Sequence, residues 1–320
     1  MFYVGIMSAI NQINSSEPIL VIAGPTASGK SSIAMDIAEK CESVIINADS
    51  MQVYSDLRIL TARPSLSNMA NKPHALYGVI DGGIRCNVSL WLKYAKKEVE
   101  KARMEGRLPI LVGGTGLYLN AARYGISEIP KVSEQIHNKA VSLHKEIGGH
   151  SFKNLLSSFD EDLASRLAEG DSQRLIRAMG VFWQTGKPLS KWQAQPLTGA
   201  ISGDFINIAH LPPRQNVYES IYQRVLEMFE KGVVDEVRLL LERNLDKSLP
   251  VMKALGVRHI ASYLDSSREI NAVISNIVQD TRNYAKRQFT WFKNNFITEI
   301  MSTEKYSKRI VSEIFSKIPR

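Results

Sequence analysis

The sequence predicts an α/β protein, a parallel sheet covered by helices on both faces and interrupted by a helical insertion. Three observations carry this. Apolar runs of strand length end at glycine-rich or polar joins and alternate with helically spaced segments. The first join, Gly24-Pro-Thr-Ala-Ser-Gly-Lys-Ser31, has the spacing G-x-x-x-x-G-K-[ST] between a strand and a helix, the phosphate-binding P-loop. Strand signals then vanish over 127–203, where only helical periods remain, and return at Phe205.

Composition narrows the class. At 320 residues and 44% hydrophobic, the chain can bury a substantial core in one large domain or two smaller ones. No apolar run approaches the ~18 residues of a membrane span, so no membrane partner is expected. Residues 1–16 are apolar in patches, with no Lys or Arg before them and no clear cleavage site; they read as a loose leader, with Met7 an alternative start, and not as a signal peptide. Cys41 and Cys86 lack metal-ligand spacing, which predicts a reduced cytoplasmic protein. A formal charge of +8 points to an acidic partner, nucleic acid foremost.

The elements follow in order. Residues 19–23 form a buried strand, and the helix that starts at Lys30 carries Ile33, Ala34, Ile37 and Ala38 inward. Between them, Gly24 and Gly29 take backbone conformations closed to other residues, so that successive N–H groups turn around an anion. The helix start adds partial positive charge, Lys30 a full one, and the Ser31 hydroxyl a ligand for Mg²⁺ beside the phosphates. Residues 43–47 are a second strand leading into Asp49-Ser-Met-Gln-Val-Tyr54; 55–71 is polar and Pro-interrupted, a loop. A helix over 89–105 buries Leu92, Ala95, Val99 and Ala102, and the strand 108–112 ends in Gly113-Gly-Thr-Gly-Leu-Tyr118. Ligands of such sheets gather at the carboxyl ends of strands, so the P-loop, Asp49 and Thr115 should line one crevice. Helices follow over 133–148, 152–169 and 171–185, with breaks at Gly148-Gly149 and Gly170, then a loop over 187–203. The strand 205–211 and helices over 216–230, 233–243, 251–263 and 268–292 complete the chain. The organisation is a core of 17–126 and 204–320 around an insertion of 127–203.

Three constellations carry chemistry. The strand 108–112 ends without a carboxylate, which leaves Asp49 as the acid of the crevice. It is a magnesium holder, a base on an acceptor group, or the N-cap of a helix near Met51. Gln173, Arg174 and Arg177 are spaced to share one side of a helix, which suits phosphate contact and base-edge reading, and equally a solvated face. On a helix Arg282, Lys286 and Lys293 fall within about 40° of one another while Tyr284 and Trp291 point away, a basic stripe over an apolar anchor.

These residues resemble the tRNA dimethylallyltransferase (tRNA isopentenyltransferase) family. The likeness runs from Ile19 to Phe292 through Gly24–Ser31, Asp49–Tyr54, Gly113–Tyr118, Gln173-Arg-Leu-Ile-Arg-Ala178, Lys253-Ala-Leu-Gly-Val-Arg258 and Thr281-Arg-Asn-Tyr-Ala-Lys-Arg-Gln288. The resemblance implies a P-loop NTPase-like, nucleotide-kinase-like core and an insertion that grips the tRNA anticodon stem-loop. It implies transfer of a dimethylallyl group from its diphosphate to the exocyclic amine of the adenosine 3′-adjacent to the anticodon, in tRNAs reading codons that begin with U. Gly24, Pro25, Thr26, Ala27, Ser28, Gly29, Lys30 and Ser31 would hold the diphosphate with Mg²⁺ on Ser31. Arg224, in the helix after the fourth predicted strand, would add positive charge, Asp49 would act as base, and Thr115 would orient the reacting groups. Asp49, Ser50, Met51, Gln52, Thr115, His137, Gln173, Arg174, Leu175, Ile176 and Arg177 would contact tRNA. The family pattern has an arginine where His137 stands, and a neutral imidazole is the weaker phosphate ligand. The chain is expected to act as a monomer. Two rivals are a small-molecule kinase with ATP in the P-loop, and a non-catalytic RNA-binding protein.

Overall fold

The computed structural model describes residues 17–266 and 268–317; the leader expected over 1–16 lies outside the described residues. Strands β1 (Pro18–Ala23), β2 (Ser43–Asn47), β3 (His74–Ala75), β4 (Leu108–Gly113), β5 (Asp204–His210) and β6 (Ile300–Ser302) form one sheet in the order β3-β2-β4-β1-β5-β6. Every pairing is parallel. The chain leaves β1, crosses to β2 and returns to β4 between them, so the crevice opens at the carboxyl ends of β2, β4 and β1. The apolar runs 19–23, 43–47 and 108–112 are central strands buried on both faces, which is why they read as continuous rather than alternating.

Helices α1 (Lys30–Ala38), α2 (Leu66–Asn71), α3 (Val88–Met104) and α4 (Gly116–Tyr124) link the first strands. The insertion holds α5 (Glu134–Ser157), α6 (Glu161–Arg166), α7 (Ser172–Thr185) and α8 (Leu189–Gln193). After β5 come α9 (Arg214–Glu230), α10 (Val233–Glu242), a 3₁₀ turn (Val251–Lys253), α11 (Val257–Leu264), α12 (Ile270–Asn295) and, after β6, α13 (Lys308–Lys317). The short elements β3, β6, α2, α8 and α13, and also α4, were not expected. Two- and three-residue strands leave no period to read, and α4 begins inside the glycine-rich stretch that resembled a loop. The predicted helix 251–263 is a 3₁₀ turn and a separate helix, divided at Gly256 (φ 101°). The predicted break near Gly148 is a kink (φ 74°) inside one long helix that runs to Ser157, and the predicted helix 152–169 leaves only the short α6 after it.

The described residues divide into two compact units, 17–123 with 201–317, and 124–200. The first is built around Leu20, Ile22, Ile33, Ile37, Ile110 and Ile208. The second has its own core of Phe152, Leu156, Leu175, Ala178, Met179 and Val181. Its two ends pair with each other, Ile126 and Thr198 exchanging backbone bonds of 2.9 and 3.0 Å. No helix among the described residues is long and apolar enough to cross a membrane.

Candidate active site

The P-loop is the turn from β1 into α1. Gly29 sits at φ 98°, where a side chain is strained, and supplies the sharp entry to the helix. Gly24 has no such φ; it is needed because a Cβ there would lie 2.4 Å from the His210 carbonyl oxygen. The other left-handed residue of the loop is Ala27 (φ 60°). Conformational freedom is therefore used at Gly29 and close approach at Gly24, which corrects the expectation of one role for both.

The loop is set for an anion. Lys30 and Ser31 open α1, where N–H groups have no acceptor within the helix. Ser28 is buried and its hydroxyl has no partner, an orphaned donor in the middle of the cradle. Lys30 Nζ donates to the Pro25 carbonyl at 3.1 Å. Its pKa is lowered to about 8, chiefly by burial, with Arg224 lowering it further and Asp49 opposing. Arg224 is itself half-buried and donates to Thr26 Oγ1 at 3.3 Å. His210, at the end of β5, is fully buried with Nε2 2.8 Å from the Ser28 carbonyl oxygen. Burial pushes its pKa down to about 4, so the ring is neutral and Nε2 carries the proton that carbonyl requires.

The acceptor side lies at the ends of β2 and β4. Asp49 Oδ1 accepts from the Met51 N–H at 2.9 Å, and the Asp49 N–H donates to Asn47 Oδ1. No helix forms at Met51, so the helix-cap reading is replaced by a tight side-chain turn. Thr115 Oγ1 accepts from the Ser50 N–H at 3.0 Å and lies 3.3 Å from Ser50 Oγ, which joins the two strand ends.

Two cavities meet here. One of about 300 Å³ is lined by Thr26, Asp49, Ser50 and Met51, with Leu60, Ile221, Val225 and Ile277 as apolar wall and Tyr284 as its aromatic residue. A larger one, about 910 Å³, is lined by Ser31, Arg58, Arg63, Tyr77 and Lys231. Arg224, Ala62 and Met228 line both, so the two cavities adjoin at Arg224, with Ser31 of the P-loop bordering the larger and Thr26 and Asp49 the smaller. The Nε atoms of Arg58 and Arg63 are buried without partners, and burial with the neighbouring Arg58 lowers the pKa of Arg63.

Residue types alone did not reveal the roles of four residues, two of them (Gln288 and Glu236) not named as site residues at all. Tyr284, read as an apolar anchor, faces the site: it hydrogen-bonds Thr115, and burial next to Asp49 raises its phenol pKa. Gln288 accepts from the Thr26 N–H and donates to the Gly114 carbonyl, both at 2.8 Å. That N–H is therefore taken and unavailable to a phosphate. Glu236 accepts from the N–H groups of Arg58, Ile59 and Leu60 at 2.6–2.8 Å and fixes the loop between the cavities. Gln52 Nε2 donates to the Thr61 and Ala62 carbonyls and braces the same loop, leaving only its oxygen for RNA.

In the insertion, His137, Gln173, Arg174 and Arg177 are exposed and Ile176 is half-buried. Arg174 pairs with Asp171 at 3.2 Å. Leu175 corrects the expectation of RNA contact: it is 0% exposed inside the core of its unit, because the helical period that turns 173, 174 and 177 outward turns 175 inward.

No group of three or more His, Cys, Asp or Glu side chains forms a metal cage among the described residues. Mg²⁺ bound with a diphosphate needs no cage; one or two protein oxygens beside the phosphates suffice. Ser31, exposed at the first turn of α1 on the rim of the larger cavity, has the hard oxygen such a site requires.

Comparison with known proteins follows the same lines. The IPP transferase family profile matches residues 52–295. A tRNA dimethylallyltransferase of Paramagnetospirillum magneticum is 42% identical over 95% of this chain and 97% of its own. That of Rhodospirillum rubrum is 43% identical over 93% and 91%. Among solved structures, the full-length tRNA isopentenylpyrophosphate transferase of Bacillus halodurans superposes with a TM-score of 0.64 at 28% identity, covering 94% of each chain. A eukaryotic dimethylallyltransferase acting on tRNA gives 0.77 at 23% identity, over 95% of this chain and 81% of its own, a likeness of fold. The core accordingly has the P-loop NTPase-like α/β fold of these relatives.

Proposed function

We propose, from the premise that this chain belongs to the IPP transferase family, that it moves a dimethylallyl group from dimethylallyl diphosphate to tRNA. The acceptor is the exocyclic amine of the adenosine 3′-adjacent to the anticodon in tRNAs reading codons that begin with U. The observation that carries this reading is Arg224, which bonds Thr26 of the P-loop and lines both the cavity that Ser31 borders and the cavity that Asp49 borders.

The diphosphate lies in 24–31 and the allylic carbons against Leu60, Val225 and Ile277. As the allylic C–O bond breaks, its electron pair goes to the diphosphate oxygen, where Lys30, Arg224 and the P-loop N–H groups stabilise the charge. Ser31 would hold Mg²⁺ beside the phosphates, and the ion would supply further neutralisation of leaving-group charge. The adenine amine forms the new C–N bond and gives its proton to Asp49, which restores a nucleophilicity that delocalisation into the ring suppresses. Thr115 orients the amine. The base reaches the site by extrusion from the anticodon loop, cheaper there than from a duplex. Ser50, Met51 and Gln52 border the extruded base, and His137, Gln173, Arg174, Ile176 and Arg177 supply stem-loop contacts from the insertion. The protein works as a cytoplasmic monomer.

Asp49→Asn tests the assignment. The amide oxygen can still accept from Met51, so tRNA and donor should bind nearly as before, while the single-turnover rate falls ~10²-fold or more. Weakened donor binding with rescue by added Mg²⁺ would make Asp49 a metal holder instead. Near-normal transfer would remove it from the mechanism.

A further inference from the structure

We infer that Gln288 is a positioning residue for this reaction, a two-sided clip that fixes the phosphate cradle against the loop that carries Thr115. The inference rests on the transferase reading and adds a residue to it.

The geometry is specific. Gln288 is 5% exposed, and both ends of its amide are used. Oε1 accepts from the Thr26 N–H at 2.8 Å, and Nε2 donates to the Gly114 carbonyl at 2.8 Å. Thr26 belongs to the P-loop after β1, and Gly114 precedes Thr115 after β4. The two strand ends are neighbours in the sheet, Ala23 pairing with Gly113, but beyond these residues the ladder stops. Gln288 continues the connection with a side chain where no further backbone pair exists. The site is shaped for it: a Cβ on Gly114 would lie 2.3 Å from Nε2, so the glycine is what admits the amide.

Each partner leads to a reacting group. Thr26 Oγ1 receives Arg224, the cation shared by the two cavities. Thr115 holds Ser50 and meets Tyr284, which lies one helical turn before Gln288 on α12. The clip therefore sets the spacing between the groups that hold the leaving diphosphate and those that hold the attacking amine. Displacement reactions respond steeply to that spacing, since a misplacement of 1 Å costs on the order of 10²-fold. Both ends of the amide are taken by Thr26 and Gly114, so its effect acts through them.

The test uses Gln288→Met, which keeps length and burial but loses both bonds, and Gln288→Glu, which keeps the acceptor for Thr26 and loses the donor to Gly114. Circular dichroism and tRNA affinity report whether each variant is folded. With both substrates saturating and well below the melting transition, the single-turnover rate should fall at least tenfold in Gln288→Met and less in Gln288→Glu. Inorganic diphosphate, measured by calorimetry, should bind severalfold more weakly to Gln288→Met whether or not transfer is assayed. Rates within twofold of wild type in a folded variant, with unchanged diphosphate affinity, would overturn the proposal. A wild-type protein that transfers nothing from dimethylallyl diphosphate to tRNA would instead overturn the transferase reading, and the diphosphate measurement would still decide for or against the clip.

Discussion

Lys30 is a cation placed where burial works against its charge, and this gives it a measurable signature. Its pKa of about 8 lies well below the ordinary 10.5, with burial as the main cause and Arg224 adding to it. A bound diphosphate favours the protonated form and raises that value again. Donor affinity should therefore be flat below pH 8 and fall as pH rises through it, with proton uptake on binding. Calorimetry between pH 7 and 9.5 reads both, and Lys30→Arg, whose charge does not titrate, should flatten the profile; an equally steep profile in that variant would assign the titration elsewhere. His210 has the complementary signature. Its folded pKa of about 4 lies below the ordinary 6.5, so the unfolded chain takes the proton first as pH falls. Its contribution is intact above pH 6.5 and is lost towards pH 4, by about 3 kcal/mol at the acid limit. Urea melts of His210→Gln should lose that part of the acid sensitivity. At this scale the sequence was legible where residue spacing states the chemistry, as in Gly29-Lys30-Ser31. It was silent on His210, Glu236 and Gln288, whose bonds to Ser28, Leu60 and Thr26 span 182, 176 and 262 residues of chain.

Elements explain what motifs alone left unexplained. Gly113-Gly114-Thr115-Gly116 reads as a loop in sequence, but each glycine answers a neighbour. A Cβ would lie 2.1 Å from the Ala48 carbonyl oxygen at Gly113, 2.3 Å from Gln288 at Gly114 and 2.1 Å from the Trp291 ring at Gly116. Two of these three neighbours come from α12, so the glycine-rich segment is the seat of that helix as well as the end of β4. Trp291 is held by Phe292 and Phe296, with ring centroids at 5.2 and 6.4 Å, and cannot easily retreat. Gly116→Ala should cost about 1–3 kcal/mol by overpacking, read in denaturant melts. Trp291→Leu in the same chain should recover part of that; no recovery would place the strain elsewhere. The stripe read on α12 holds in part: Lys286 and Lys293 are exposed while Ala285, Phe289 and Phe292 are buried, but Arg282 is half-buried with its guanidinium 5.5 Å from the Tyr218 ring centroid. The loop was legible as a loop over 55–65, before α2, but not as a fixed one. Three N–H groups on the Glu236 carboxylate and two carbonyls on Gln52 hold it, and Glu236→Ala should raise the donor KM with little change in tRNA affinity.

At the scale of the molecule, the change of character in the sequence near residue 127 corresponds to a physical division, because apolar residues of 124–200 pack among themselves. Phe152, Leu156, Leu175, Met179 and Val181 are each 0% exposed within that unit, and Ile126 and Thr198 close its ends. On the other side of the joint, the Ile201 N–H donates to the Ala122 carbonyl at 2.8 Å, so the core can be closed over the gap. The unit boundaries fall three residues earlier than composition implied at both ends, since pairing between distant segments sets them and local signals do not. Two constructions follow from this. Joining 123 to 201 by a short turn should leave a core that unfolds cooperatively and binds dimethylallyl diphosphate about as well as the full chain. Its tRNA affinity should drop more than tenfold. Residues 124–200 alone should melt cooperatively with only a few kcal/mol of stability, the usual limit for a core of that size. Within the full chain, replacing Arg174 and Arg177 by Ala should reduce the slope of log affinity against log salt by about one unit per lost phosphate contact. The salt slope decides between two roles for these arginines: contact with RNA lowers it, whereas a solvated helix face leaves it unchanged. If the joined core binds tRNA as tightly as the full chain, with an unaltered slope, the RNA is held by the basic face of α12 and not by the insertion.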